Sequence, residues 1–324
     1  MLRAPGFWRN DGRGFAPWLL RPLESVTAGL TAARVARPGW RAPVPVLCCG
    51  NAGVGGAGKT TLALDLGQRL IARGVAVHFL TRGYGGSMRG PLRVEPARHR
   101  ASEVGDEPLL LAAVAPTWVA ADRADGARAA VHEGAAALVM DDGLQSPTLV
   151  KDVSLLVIDG EAGFGNGRLL PAGPLREPIR AAAARCAAAV LIGEDRHGAL
   201  AALPFGMEVL RACLVPAPDA STLAGRRVFA FAGIGNPDKF RATVMQTGAV
   251  LAGHAAFADH HRYSEAELRR LQDQAARLDA ILVTTAKDAA RLTPAWRQAM
   301  TVLRVALAWD DPARVDAQLN ACIA

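Results

Sequence analysis

Lys59 and Thr60 close a glycine-rich run, Gly53–Val54–Gly55–Gly56–Ala57–Gly58, so that Gly53 to Thr60 fit G-x-x-x-x-G-K-[ST], with Thr61 following. A loop short of side chains lets successive backbone N–H groups turn inward on the oxygens of a polyphosphate. The lysine adds a compact charge at the β/γ-phosphates, and the Thr60 hydroxyl completes the shell of a Mg²⁺ ion. Asp141 and Asp142 end the apolar run "ALVM". That is a Walker B arrangement, in which one carboxylate holds Mg²⁺ and its neighbour orients water or an acceptor; an acidic turn after a buried strand carries the same letters. Asp106 and Glu107 open "DEPLLLA", with Pro108 set at the first helical position. Carboxylates there act either as plain helix caps or as acid–base groups. His260 and His261 follow Asp259 just before a helix; adjacent side chains point apart, so one at most works in a site, and surface histidines are common there.

The loop has the context that the chemistry demands. Val44 to Cys49 reads as a buried strand, and Leu62, Leu66 and Leu70 give the next helix a core stripe before Gly74. The helix N-terminus, partially positive, then faces the phosphates. Further strands are expected at 75–81, 117–121, 136–140, 154–159 and 187–193, with a helix at "RADGARAAVHEG". Strands alternating with helices predict an α/β fold, a doubly wound and mainly parallel P-loop NTPase-type sheet with its chemistry at the strand carboxyl ends. A Pro/Ala/Gly-rich linker at 216–227 leads to "VFAFAGIGNPDKF" (228–240), a helix around 264–278, "AILVTTAKD" (280–288) and "TVLRVAL" (301–307), which read as a smaller α/β unit. The division expected is a basic segment 1–40, a P-loop domain 41–217 and a smaller α/β domain 218–324.

Composition narrows the classes. Five cysteines, an odd number with no C-x-x-C pair, suit a reducing cytosol. The longest apolar stretch, "AAAARCAAAVLIG", is too short for a membrane span and contains Arg185, and "FAPWLL" runs into Arg21 without a cleavage site. Residues 1–41 hold seven arginines against Asp11 and Glu24, interleaved with Phe7, Trp8, Phe15, Trp18 and Trp40. Leu19, Leu23, Val26 and Leu30 form an amphipathic stripe. The pattern serves a helix lying in a membrane interface or one packed on the protein's own core. No nucleic-acid-binding module accompanies the basic residues. Only four lysines occur among 37 basic residues, which singles out Lys59 and, more weakly, Lys287. A GTPase would carry N/T-K-x-D, but Lys287 and Asp288 are adjacent, and a partitioning ATPase would carry lysine where Val54 stands. A nucleotide-binding switch stays open on these grounds.

The strings "PGFW" (5–8), "VGGAGKT", "RGYGG" (82–86), "VGDEPLLLA" (104–112), "DDGLQ" (141–145), "PAGPLREP" (171–178), "AGIGNPDKF" (232–240), "FADHH" (257–261) and "KDAARL" (287–292) occur in order. Together they resemble the tetraacyldisaccharide 4′-kinases, which phosphorylate the lipid A precursor at the cytosolic face of the inner membrane. The resemblance implies ATP and Mg²⁺, the latter handled by Thr60, Asp141 and Asp142. It implies Asp106 as the base that activates the acceptor, paired with His260. Arg82, Glu107, Gln145 and Glu177 are expected around substrate or in support of these groups. It implies a peripheral enzyme whose basic helix rests on the bilayer, with no nucleic acid and no obligate protein partner. The family's aromatic between DDG and Q is Leu144 here, and two loop positions commonly threonine are Gly53 and Ala57.

Overall fold

The computed structural model describes residues 5–9 and 15–323. Arg3, Asp11 and Arg13 of the basic segment lie outside the described residues. In chain order the strands are β1 (Val46–Gly50), β2 (Val77–Thr81), β3 (Leu92–Arg93), β4 (Thr117–Val119), β5 (Ala137–Asp141), β6 (Val153–Asp159), β7 (Ala188–Ile192), β8 (Glu208–Pro216), β9 (Arg227–Ala232), β10 (Val250–Ala256), β11 (Ile281–Thr285), β12 (Thr301–Leu303) and β13 (Val305–Trp309).

Nine of them form one sheet in the order β13-β8-β7-β6-β1-β5-β2-β4-β3. Every pairing from β8 to β4 is parallel, and the two edges, β13 and β3, are antiparallel. β1 and β5 are buried at every position, as strands covered on both faces must be. One face is covered by the helix Lys59–Ala72, whose expected stripe of Leu62, Leu66 and Leu70 is fully buried, and by the C-terminal helix Pro312–Ile323. Strand order reverses beside β1, so the carboxyl ends of β1 and β5 open the crevice where such sheets bind ligands.

The second sheet, β10-β9-β11-β12, is wholly parallel. The helices Pro237–Gln246 and Glu265–Arg277 cover its two faces. The expected boundary at 324 is wrong. The apolar run 301–307 is two strands rather than one: β12 closes the small sheet, and after Arg304 the chain enters β13 in the large sheet, paired with β8. Leu307, Val315 and Leu319 then pack into the large domain's core, so the small domain ends near residue 303. The outgoing and returning passes lie side by side, Ala217 N–H donating to Arg304 O at 2.9 Å. The run hid the crossing because β12 and β13 each bury an apolar residue, Leu303 and Leu307, in different cores.

The N-terminal segment forms the helices Phe15–Leu20 and Pro22–Val35. Its apolar stripe does not pack on the core. Leu19, Leu23 and Val26 are exposed, Trp18 is 63% and Leu30 65% exposed, and the opposite face is tied down instead. Thr27 Oγ1 donates to Leu170 O at 2.6 Å, Thr31 Oγ1 to Arg176 O at 3.0 Å, and Arg168 pairs with Glu24 at 3.1 Å.

Leu319 has no exposed surface. Leu319→Ala should therefore destabilise the nine-stranded domain by about 2–5 kcal/mol. Hydrogen exchange should show faster opening of the β1 and β13 amides and unchanged opening of β9 and β11; the reverse pattern would place the C-terminal helix with the small domain.

Candidate active site

The glycine loop leaves β1 at Asn51 and is braced from the side by the 171–178 segment, where Val54 N–H donates to Pro174 O at 2.8 Å. Two glycines carry the geometry. Gly55 (φ 120°) and Gly58 (φ 89°) take backbone conformations that side chains disfavour, and a Cβ on Gly58 would also lie 2.6 Å from Ile192 Cδ1. Lys59 Nζ is held over the loop by Asn51 Oδ1 at 3.1 Å and Gly55 O at 3.2 Å, with Asp142 Oδ1 at 3.8 Å. Thr60 Oγ1 donates to Asp141 Oδ2 at 2.8 Å. Thr61 lies in the first helical turn beside them.

The paired aspartates sit in different environments. Asp141 is buried at the end of β5, and its Oδ1 has no partner. Burial pushes its carboxyl up to about 6, against the pull of Lys59 and of the Thr60 hydrogen bond. An unsatisfied buried carboxylate oxygen beside a threonine hydroxyl suits a hard cation, so Thr60 and Asp141 fit Mg²⁺. Asp142 sits at φ 56° and is taken by Arg176, whose Nη1 and Nη2 reach its two oxygens at 2.9 and 3.2 Å. Burial opposes its charge, yet Lys59 and Arg176 hold its carboxyl below the usual range. Leu144, where an aromatic was expected, is buried under the strand end; a Cβ on Gly50 would collide with it, and it contributes no face to the crevice.

Half-buried Gln145 and buried Glu177 form a brace. Gln145 Nε2 donates to Asn51 O and Glu177 Oε1, each at 2.8 Å, and Arg185 holds Glu177 at 2.7 Å. Arg82 is exposed at the carboxyl end of β2.

Asp106 and Glu107 are not hydrogen-bonded caps. The helix Asp106–Ala112 starts earlier than Pro108 suggested, after Gly105 at φ 95°, and both carboxylates meet the second domain. His260 Nδ1 lies 3.3 Å from Asp106 Oδ2, and Lys287 Nζ is 2.8 Å from Glu107 Oε1. His261 turns the other way, stacked on Phe257 with ring centroids 4.7 Å apart and 3.2 Å from Glu267 Oε1. Burial alone would raise the Asp106 carboxyl; the His260 hydrogen bond and the Arg291 guanidinium overcome it and hold it well below the usual carboxylate range. That hydrogen bond in turn lifts His260 above its ordinary 6.5, against its own burial.

Sequence-family comparison settles which phosphate-binding class this is. A family model described as tetraacyldisaccharide-1-P 4′-kinase matches residues 16–324. The chain belongs to this family. It is a kinase. It is 58% identical to the tetraacyldisaccharide 4′-kinase of Gluconacetobacter diazotrophicus, over 96% of this chain and 95% of that one. It is 52% identical to that of Rhodospirillum centenum, over 97% and 95%. In fold it is similar to the crystal structure of the "apo" form of LpxK from Aquifex aeolicus in complex with ATP, with TM-score 0.74 and 24% identity, covering 96% of this chain and all of that one.

Three arginines at the family site escaped the sequence reading. Arg291 contacts Asp106, Arg176 grips Asp142, and Arg123, buried at a helix start, donates to Ala120 O at 2.6 Å with its Nε unpartnered. Burial and the nearby Arg82 charge push Arg123 down to about 10. In an arginine-rich chain residue type does not mark them; only the "LREP" and "KDAARL" strings enclosed two of the three.

The His260 shift yields a measurement. Asp106→Asn should move the His260 titration, followed by its imidazole NMR signals, downward toward 6.5. The stability that rests on the His260 proton is complete below about pH 6.5 and is lost as pH rises through the raised value. An unmoved His260 titration would mean that the 3.3 Å approach carries no proton-linked interaction.

Proposed function

We propose that the protein transfers the γ-phosphate of ATP to the 4′-hydroxyl of a tetraacylated glucosamine disaccharide 1-phosphate, a step of lipid A biosynthesis. The observation that carries this reading is the meeting of two sites: a phosphate cradle at β1 and a carboxylate–histidine pair contributed by both domains. A switch that merely held nucleotide would have no use for the second.

Lys59 and the loop N–H groups bind the β- and γ-phosphates and offset the charge that spreads over the phosphoryl oxygens during transfer. Thr60 and Asp141 would hold a Mg²⁺ ion, and Asp142, fixed by Arg176, stands behind Lys59 in its support. The metal supplies further charge neutralisation at the transferring phosphate. Asp106 takes the acceptor's proton. Its carboxyl is a weak base, which suffices because a loose transition state forms little bond to the nucleophile until late. His260, charged beside it, stabilises the pair and ties reaction to the approach of the two domains. Gln145 and Glu177 keep the loop's exit from β1 rigid, and Arg82 at the rim is a cation for the anionic acceptor.

The acceptor's acyl chains bind the enzyme's working place to a bilayer. The exposed stripe of Trp18, Leu19, Leu23, Val26 and Leu30, flanked by Arg9, Arg21, Arg34 and Arg37, supports a peripheral position on the cytoplasmic face of the inner membrane. No helix among the described residues is long and apolar enough to cross a membrane.

Lys59→Ala should lower kcat by about 100- to 1,000-fold with unchanged melting, measured as transfer of labelled phosphate to tetraacyldisaccharide 1-phosphate in micelles. ATP turnover with no lipid product would favour the switch. Replacing Trp18 with Ser and Leu23 with Asp should release the protein from vesicles rich in anionic lipid without affecting the fold, because both side chains are exposed. Salt should weaken wild-type binding, at about 1 kcal/mol per basic residue near the surface. Unchanged co-sedimentation after both treatments would remove the membrane role of the stripe.

A further inference from the structure

The short helix Ala286–Ala290 of the small domain and its cap residue Arg291 meet the start of the helix Asp106–Ala112 with two cations against two carboxylates. The pairs differ. Lys287 to Glu107 is a single contact at 2.8 Å, whereas Arg291 reaches Asp106 Oδ2 through both Nε, at 3.1 Å, and Nη2. The Arg291 side chain is only 6% exposed. Its far edge is fixed within its own domain, Nη1 donating to Gly233 O at 2.9 Å and Asp288 Oδ1 at 3.0 Å. Asp288 has no exposed surface and is itself held by Gly233 N–H at 3.0 Å and by Tyr263 OH at 2.8 Å; its Oδ2 accepts from Thr285 Oγ1 at 2.6 Å. The guanidinium is thus a rigid bracket, closed on one side and presented to Asp106 on the other.

All three groups that grip Asp106 across the domain boundary use one oxygen. Arg291 Nε, Arg291 Nη2 and His260 Nδ1 converge on Oδ2. With two guanidinium donors on one oxygen and His260 Nδ1 3.3 Å from it, the carboxylate cannot rotate freely, so its other oxygen is held in one orientation.

We infer that Arg291 is a positioning residue for phosphoryl transfer: it pins Asp106 by Oδ2 and thereby presents Oδ1 to the acceptor hydroxyl. The inference rests on Asp106 being the base. Lysine cannot replace the guanidinium here, since a point charge lacks the fork that joins Asp288 and Gly233 to Asp106. Misplacing a reacting group by about 1 Å is enough to lose on the order of 100-fold in rate.

The test compares Arg291→Gln, Arg291→Lys and Asp106→Ala in the full chain, with kcat, both KM values, melting temperature and the pH dependence of kcat. Arg291→Gln should lower kcat about 100-fold with KM for ATP within about two-fold of wild type. It should also move the acid limb of kcat to higher pH. Without the guanidinium, burial raises the Asp106 carboxyl, with His260 and Lys287 as facing cations and Glu107 as facing acid. Arg291→Lys should return the acid limb toward wild type, because charge is restored, while recovering only part of kcat, because the fork is not. If Arg291→Gln lowers melting temperature alone, or raises KM with kcat and acid limb unchanged, Arg291 only docks the domains and the inference is wrong. If Arg291→Gln fails to fold, Arg291→Lys decides: wild-type kcat there overturns the requirement for the fork. Substantial activity in Asp106→Ala would instead overturn the reading of Asp106 as base, whereas an inactive Asp106→Ala beside an active Arg291→Gln overturns the positioning role alone.

Discussion

One carboxylate oxygen, Asp106 Oδ2, takes hydrogen bonds from two residues of the small domain while its own residue belongs to the large one. A nearly buried carboxylate left without those partners would be strongly destabilised, because burial penalises the charged form and nothing would offset it. The same is true of Arg291 from the other side. The two domains are therefore not free to choose their contact. The pairing at Asp106, with Lys287 on Glu107 and Lys239 within 3.4 Å of Asp159, selects one arrangement of the two domains.

The cradle obeys a different constraint. A glycine loop gains its inward-facing N–H groups by giving up side-chain packing, so its shape has to be held from outside. Here the 171–178 segment does this: Pro174 receives Val54 N–H, while Arg176 grips Asp142 and Glu177 accepts from Gln145, whose amide also donates to Asn51 O. The same segment receives the Thr31 hydroxyl at Arg176 O, which links the N-terminal helix directly to the wall of the site. A helix bearing an outward apolar stripe is thus fastened to the residues that shape the phosphate loop.

The conflict between charge and burial also separates three carboxylates, Asp141, Asp142 and Asp106, by environment. Asp141 has one oxygen without a partner and is pushed up to about 6; Asp142 and Asp106, each beside a guanidinium, are held down. Such divergence keeps the charge states of neighbouring carboxyls distinct within one crevice.

By itself the sequence determined what depends on short-range order. The glycine loop followed by a lysine and a threonine, the leucine stripe of the next helix, the apolar strands and the helix around 264–278 are all encoded within about fifteen residues, and each was legible from period and residue type. Only the tertiary structure decided which charged groups meet. Arg291 lies 185 residues from Asp106, and in a chain rich in arginine no local pattern distinguishes the one whose far edge is fixed by a buried aspartate. The crossing at Arg304 was hidden for a related reason, since an apolar strand reads alike whichever core receives it. The stripe of the N-terminal helix faces outward because long-range polar anchors at Leu170 and Arg176 hold a different face of that helix to the protein. Pairing free energy across such separations depends on where the whole chain places its ends, and that is fixed by the packing of two cores rather than by any segment alone.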